Sequence, residues 1–75
     1  MAQTKIMFQA IEDATELVNA AEKCDFDIDL TAGRMIVDAK SLMGVIGLGL
    51  GQVLVVQCHG ESPEFNRTIQ KFVVA

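Results

Sequence analysis

The chain has 75 residues, which is enough for one domain with a small core over residues 1–75. Its residues are 51% apolar and 21% charged, a balance that excludes a disordered polypeptide. Six Lys and Arg against ten Asp and Glu give a net charge of −4, so we expect neither nucleic acid nor an anionic membrane surface as a partner.

The cysteine content and the uncharged middle of the chain bear on its location. Cys24 and Cys58 are too few for a disulfide framework, and residues 1–5 lack the pattern of a signal peptide. Residues 41–60 contain no Lys, Arg, Asp or Glu and have the length of a membrane span. Five glycines, two glutamines and a histidine in this stretch instead favour a short helix, a loop and a buried strand. We therefore expect a cytoplasmic protein that does not enter a membrane.

A strand and a helix are predicted at the beginning of the chain. Residues 5–8 form a short apolar run that is typical of a strand. Residues 13–23 are predicted to be helical, and Asp13 with Glu16 has the spacing of a capping box at the helix start. Four apolar residues recur at the spacing of one buried helix face, namely Ala14, Leu17, Val18 and Ala21.

A hairpin is predicted over residues 25–39. Residues 25–30 alternate between polar and apolar, which predicts a strand with Asp25, Asp27 and Asp29 on its solvent face. Residues 31–33 carry a turn signal, and residues 34–38 continue as a second strand.

The second half of the chain begins with a short helix. Ser41 is a natural N-cap for residues 42–46, and the glycines that follow end that helix. Residues 53–58 are rich in β-branched side chains and are predicted to form a buried strand. The last helix is predicted to begin with Ser62 as its N-cap and Pro63 as its first residue. Its apolar stripe consists of Phe65, Ile69, Phe72 and Val73.

The element order is therefore βαββαβα. We expect an α+β fold, an open-faced β-sandwich in which three helices cover one face of a four-stranded antiparallel sheet. The other face of the sheet is then open to solvent.

Alternation along the strands predicts what the open face carries. If Leu54, Val56 and Cys58 point toward the helices, their neighbours point outward. The outward apolar residues then form a strip that is a candidate dimer or partner surface: Met7, Ile36, Val53 and Val55. The alternative is that one strand lies a residue out of register, which would turn its whole set to the other face.

One short motif resembles a known family. The run from Asp38 to Val45 reads Asp-Ala-Lys-Ser-Leu-Met-Gly-Val, and Gly47-Leu48 follows it. This run resembles HPr, the histidine-containing phosphocarrier protein of the sugar phosphotransferase system, whose typical run is Lys-Ser-(Ile/Leu)-Met-Gly-Val and then Leu-Gly. The resemblance extends over about residues 12–75 and implies the same open-faced βαββαβα fold.

The resemblance also shows where this sequence departs from the family. HPr proteins carry phosphate on a His at the start of the first helix, within a Gly-(Leu/Ile)-His-(Ala/Thr)-Arg-Pro-Ala segment. The matching residues 8–14 read Phe-Gln-Ala-Ile-Glu-Asp-Ala and contain no His, Arg or Pro. Glu12 and Asp13 add negative charge where a phosphoryl group would need positive charge. We therefore expect no phosphate transfer through His and predict a regulatory, protein-interaction role.

The regulatory serine of the family is matched by Ser41. In many family members this Ser is phosphorylated by a dedicated HPr kinase/phosphorylase, and a phosphoserine at a helix start meets free N–H groups. The alternative is that Ser41 only caps its helix. By the same resemblance, Lys40, Leu42, Met43 and Ile46 would contact the kinase, phosphotransferase-system proteins or catabolite-control proteins. The alternative for the apolar three is that they only cover the core.

The remaining reactive side chains carry weaker signals. His59 follows Cys58 in a strand, so the two point to opposite faces and form no catalytic pair. The cysteines lack metal-ligand spacing, the three aspartates lack converging ligands, and the glycines match no phosphate-binding loop. We expect no enzymatic activity, no metal and no cofactor.

Two alternatives to the regulatory role stay open. One is a phosphocarrier with an unconventional phosphate acceptor, which phosphorylation of His59 would reveal. The other is a small-molecule-binding regulatory domain of similar topology.

Overall fold

The computed structural model describes residues 2–74 and has the predicted element order. Seven elements follow one another along the chain: β1 (Ala2–Met7), α1 (Ile11–Glu22), β2 (Ile28–Ala32), β3 (Met35–Asp38), α2 (Leu42–Gly47), β4 (Val53–Cys58) and α3 (Pro63–Gln70). The predicted α+β, open-faced βαββαβα fold is confirmed.

The four strands form one antiparallel sheet in the order β1-β4-β2-β3. β4 is central, because Val56 pairs with Thr4 of β1 on one side and with Leu30 of β2 on the other. The residues after α3 cover the outer edge of β1, where the Met7 amide donates to the Phe72 carbonyl at 2.9 Å and the Val74 amide donates to the Lys5 carbonyl at 3.0 Å. This pairing leaves β3 as the uncovered edge among the described residues.

The core lies between the sheet and the helices. The predicted apolar face of α1 is buried, and the rings of Phe8 and Phe72 pack edge to face with centroids 5.7 Å apart. In the last predicted stripe, Phe65, Ile69 and Phe72 are buried, but the prediction for Val73 was wrong. Val73 is 42% exposed because it follows α3 and bridges to Ile6 at the sheet edge.

The start of α1 differs from the prediction. The helix begins at Ile11, two residues early, with Ala10 as its N-cap. Asp13 is therefore the third helical residue, and its Oδ2 accepts hydrogen bonds from the backbone amides of Gln9 at 2.9 Å and Ala10 at 3.2 Å. The predicted capping box, with Asp13 as the N-cap and Glu16 as the third helical residue, was wrong. Asp13 is itself the third helical residue, and its carboxylate accepts from the amides that precede the helix, as the acidic residue of a capping box does.

The hairpin is present with shifted bounds. Residues 25–27 do not join β2, because their partner strand β4 ends at Cys58, which lies opposite Ile28. One further backbone bond follows, from the His59 amide to the Asp27 carbonyl at 2.9 Å. Of the three predicted strand aspartates, only Asp29 lies in the strand. The turn is also later than predicted, at Gly33 and Arg34, where Gly33 has a φ of 60° that suits a two-residue hairpin loop.

The uncharged stretch is divided as expected into α2, a glycine-containing loop and β4. Over residues 2–74, no helix has the length and apolar character needed to cross a membrane.

Candidate phosphorylation and partner-binding site

Ser41 caps the start of α2. Its Oγ accepts a hydrogen bond from the Gly44 amide at 3.4 Å, and its own backbone is extended, as at an N-cap. The hydroxyl is on the surface because Ser41 is exposed. A Cβ at Gly44 would lie 3.4 Å from Cβ of Val37, so the glycine allows α2 to begin close against β3. The predicted cap is confirmed, and its hydroxyl is accessible.

Lys40 is held by two hydrogen bonds, one from its side chain and one from its backbone amide. Its ammonium donates to the Cys24 carbonyl at 2.9 Å, and its amide donates to Oδ1 of Asp38 at 2.9 Å. These contacts tie the approach to α2 to the end of α1. The ammonium therefore binds the carbonyl of the residue that follows the C-cap of α1.

The three apolar residues predicted to meet partners all lie on the outside of α2. Met43 is 82% exposed, whereas Val45 is fully buried and is the residue by which α2 contacts the core. Leu42 and Ile46, one helical turn apart, are 39% and 36% exposed. This helix of six residues thus buries one apolar side chain fully and leaves three others partly or largely exposed.

A shallow apolar cleft extends this surface to the start of α1. Ile46, Gly49 and Leu50 face Ile11 across the cleft, over a floor that includes Phe8, Ala14 and Val45. The Gly51 amide donates to the Phe8 carbonyl at 2.9 Å and holds the loop beside α1. We call the exposed apolar set formed by Ile11, Leu42, Met43, Ile46 and Leu50 the α2 surface.

Sequence reasoning missed Ile11 and Leu50. Each is about half exposed, and they lie 39 positions apart in the chain. Ile11 preceded the predicted start of its helix, and Leu50 lay among glycines that indicated only a loop. Only the packing of the loop against α1 shows that they belong to one surface.

The segment that matches the phosphate-carrying loop contains no imidazole or hydroxyl. Phe8 is buried, Ala10 is the N-cap of α1, and Glu12 is exposed. The Asp13 carboxylate occupies the backbone amides just before the helix. This arrangement places negative charge at the helix start, where it stabilises the helix and opposes an incoming phosphoryl group.

His59 lies at the other end of the sheet. Cys58 pairs with Ala2 and Val53 pairs with Met7, so about 17 Å of strand separates His59 from the start of α1. Its Nε2 lies 3.1 Å from Oδ2 of Asp29 on the outer face. Cys58 points into the core, so the predicted separation of Cys58 from His59 is confirmed.

The two thiols are free, and they differ in how deeply they are buried. Cys24 is half-buried and Cys58 is buried. Desolvation raises the pKa of the Cys58 thiol, and the neighbouring Cys24 thiol adds to the rise. Within residues 2–74 no group of His, Cys, Asp and Glu side chains is arranged to hold a metal ion.

The predicted outer strip is brought together by the strand register. Met7 pairs with Val53, and Thr31 lies between Val55 and Ile36. Ile36 is 69% exposed and Val53 is 47% exposed, while Met7 and Val55 are half-buried. Met35, which alternation turns toward the helices, is itself exposed near the hairpin tip.

Comparison with known proteins places the chain in a family. A family model described as PTS HPr component phosphorylation site matches residues 11–73. The chain therefore belongs to the HPr family of the sugar phosphotransferase system, whose members are phosphocarriers rather than catalysts and interact with other proteins of that system.

Solved structures of HPr proteins share the fold. HPr-C-His from Thermoanaerobacter tengcongensis is 24% identical with a TM-score of 0.77, and the match covers 95% of this chain and 89% of that one. HPr from Bacillus anthracis str. Ames is 20% identical with a TM-score of 0.74, covering 95% of each chain. The histidine-containing phosphocarrier protein of a mycoplasma is 21% identical with a TM-score of 0.69, covering 92% and 84%.

Proposed function

We propose that this chain is a regulatory member of the HPr family that acts through protein contacts and does not carry phosphate on a histidine. The observation that carries the proposal is that the family's serine motif is present while its phosphate-carrying histidine is missing. The Lys40–Val45 motif forms a capped, exposed helix start, whereas residues 8–14 contain no imidazole.

The lack of a carrier step is supported by charge as well as by the missing His. Glu12 and Asp13 lie in the first turn of α1, and the Asp13 carboxylate already accepts from two amides there. A phosphoryl group at this position would meet like charges at close range, which costs on the order of 1 kcal/mol in a partly exposed site. The chain's one His is bonded to Asp29 at the far end of the sheet.

Regulation at Ser41 is supported by the geometry of the cap. The hydroxyl is exposed, and the Gly44 amide to which it is bonded would be available to a phosphate oxygen. The competing role is capping alone, which contributes about 1 kcal/mol to helix stability. The two roles differ in one measurable property, which is modification by a kinase.

The test is incubation of the intact chain with an HPr kinase/phosphorylase and ATP, followed by intact-mass measurement. We expect a mass increase of one phosphate, lost in Ser41→Ala. Ser62→Ala is the matched control, because Ser62 caps α3 in the same way, by accepting from the Phe65 amide at 3.2 Å. An unmodified wild-type chain, or a phosphate that persists in Ser41→Ala, would contradict the regulatory half of the proposal.

The carrier alternative has its own test. Incubation with phosphoenolpyruvate and the first enzyme of the phosphotransferase system, with the product kept at neutral pH, should leave the chain unmodified. Phosphohistidine at His59 would show that the chain is an unconventional carrier.

The contact surface that we propose for phosphotransferase-system or catabolite-control proteins is the α2 surface together with Lys40. Its support is the exposure of Met43 and Ile46 beside the buried Val45. An apolar surface of this kind is typical of a protein interface.

A further inference from the structure

The distribution of charge around the α2 surface is uneven. Residues 41–60 supply most of this surface and contain no Lys, Arg, Asp or Glu. α2 packs against α1 and β3, so α1 supplies part of the charge beside this surface.

The rim contributed by α1 is acidic. α1 contains four acidic residues and no Lys or Arg, but Asp13 and Glu16 line the groove beside Lys71 and not the cleft, so Glu12 is the acid of the first turn that remains for the rim. Glu12 directly follows Ile11, which belongs to the α2 surface, and its side chain is exposed. Negative charge therefore lies beside the apolar cleft at the start of α1.

Lys71 and Lys40, which contact the flank and the end of α1, already have bonding partners. Lys71 forms an ion pair with Glu16. The Lys40 ammonium is bonded to the Cys24 carbonyl and lies close in sequence to Asp38, whose carboxylate binds the Lys40 amide. Neither cation neutralises Glu12, so the acid rim is left for a partner to match.

We propose that the α2 surface binds a protein whose contact site is an apolar centre edged by Lys and Arg. This inference rests on the proposed function, because it assigns the chemistry of the partner to the same surface. The apolar centre matches Met43 and Ile46, and the basic edge matches Glu12. A second copy of this chain fits less well, because two-fold pairing of the surface would bring acid rims together.

The test uses two synthetic helical peptides of equal length with the same Leu face, one with Lys and the other with Glu on the remaining positions. Each is titrated into the isotope-labelled chain while amide shifts are followed by NMR. We expect the Lys peptide to bind at least about ten-fold more tightly than the Glu peptide at low salt, and to move amides of α2 and the first turn of α1. Added salt should weaken the Lys peptide more than the Glu peptide.

Matched variants separate charge from apolar contact. Glu12→Gln should weaken the Lys peptide about three-fold, whereas Asp25→Asn, which removes the same charge from an exposed site before β2, should leave its affinity unchanged. Met43→Ser, at a position too exposed to unfold the chain, should weaken both peptides.

The two levels of the proposal fail in different ways. Equal binding of both peptides at α2 would overturn the basic partner and leave the contact surface intact. Shifts confined to residues 25–29, or no effect of Met43→Ser on either peptide, would overturn the contact surface itself.

Discussion

Burial decides the chemistry of the two thiols at the residue scale. Cys58 points into the core from β4, and Cys24 lies just after α1, near enough to contribute to the raised pKa of Cys58. Burial disfavours the thiolate, so the pKa of Cys58 is higher in the folded chain than in the unfolded one. The folded state then retains a proton that the unfolded state releases as the pH rises.

This linkage predicts a loss of stability in alkali. The contribution of Cys58 is full below the ordinary thiol pKa and falls as the pH rises through that value toward the raised pKa. Urea unfolding at a series of pH values should show a decline that is shallower in Cys58→Ala. Cys24→Ala should keep most of the decline, since burial is the larger cause. Equal slopes in wild type and Cys58→Ala would contradict the assignment.

Two glycines show how the elements of the chain are joined. Gly60, just after β4, lies under the ring of Phe26, and a Cβ there would approach Cγ and Cδ2 of that ring at 2.5 Å. Gly47, the last residue of α2, has open space around its Cβ position. The first glycine is required by packing between the segment before β2 and the turn after β4, whereas the second is not.

Substitution of these glycines should have opposite effects. Gly60→Ala should lower the free energy of unfolding by about 1–3 kcal/mol, because Phe26 must move. Gly47→Ala should raise it by up to about 1 kcal/mol, because alanine restricts the unfolded chain and favours the helix. Urea denaturation of the two variants measures both changes. A Gly60→Ala chain as stable as wild type would show that the ring does not pack on the glycine.

The outer face of the sheet concerns the molecule as a whole. The strip of Met7, Ile36, Val53 and Val55 crosses all strands but β2, where Thr31 fills the gap. Lys5 points outward on the β1 edge, and Asp38 points outward on the β3 edge. When a second copy stacks on this strip about a two-fold axis parallel to the strands, β1 of each copy lies over β3 of the other. Each Lys5 then lies level with Ile36 of the other copy, and Asp38 is two residues further along that strand, about 7 Å away along the strand and within reach of the long lysine side chain.

We propose that this stacking is the dimer contact, and its strength is limited by area. A stable interface needs about 800 Å² from each partner, more than a small sheet face offers, so association should be weak. Sedimentation equilibrium at rising concentration should show a mass above 8.1 kDa, and Lys5→Glu should reduce it. Lys23→Glu, the same charge change on an exposed residue away from the strip, is the control. A mass of 8.1 kDa at every concentration would contradict the dimer.

Local periodicity predicted most of the fold and the centre of the candidate site. β4 and the caps at Ser41 and Ser62 were predicted correctly, because strand alternation and capping depend on residues close together in the chain. The bounds of β2 were not, because a strand ends where its partner ends, and the partner of β2 is thirty positions away.

The sequence by itself determined that no imidazole stands in residues 8–14 and that Ser41 begins a helix, since covalent order and local hydrogen bonding decide both. Only the tertiary structure decided that His59 lies at the far end of the sheet and that the Lys40 ammonium is bonded to Cys24. It also joined Ile11 and Leu50 to α2 as one surface. These relations connect residues distant in the chain, and strand pairing and core packing, which no local pattern encodes, bring them together.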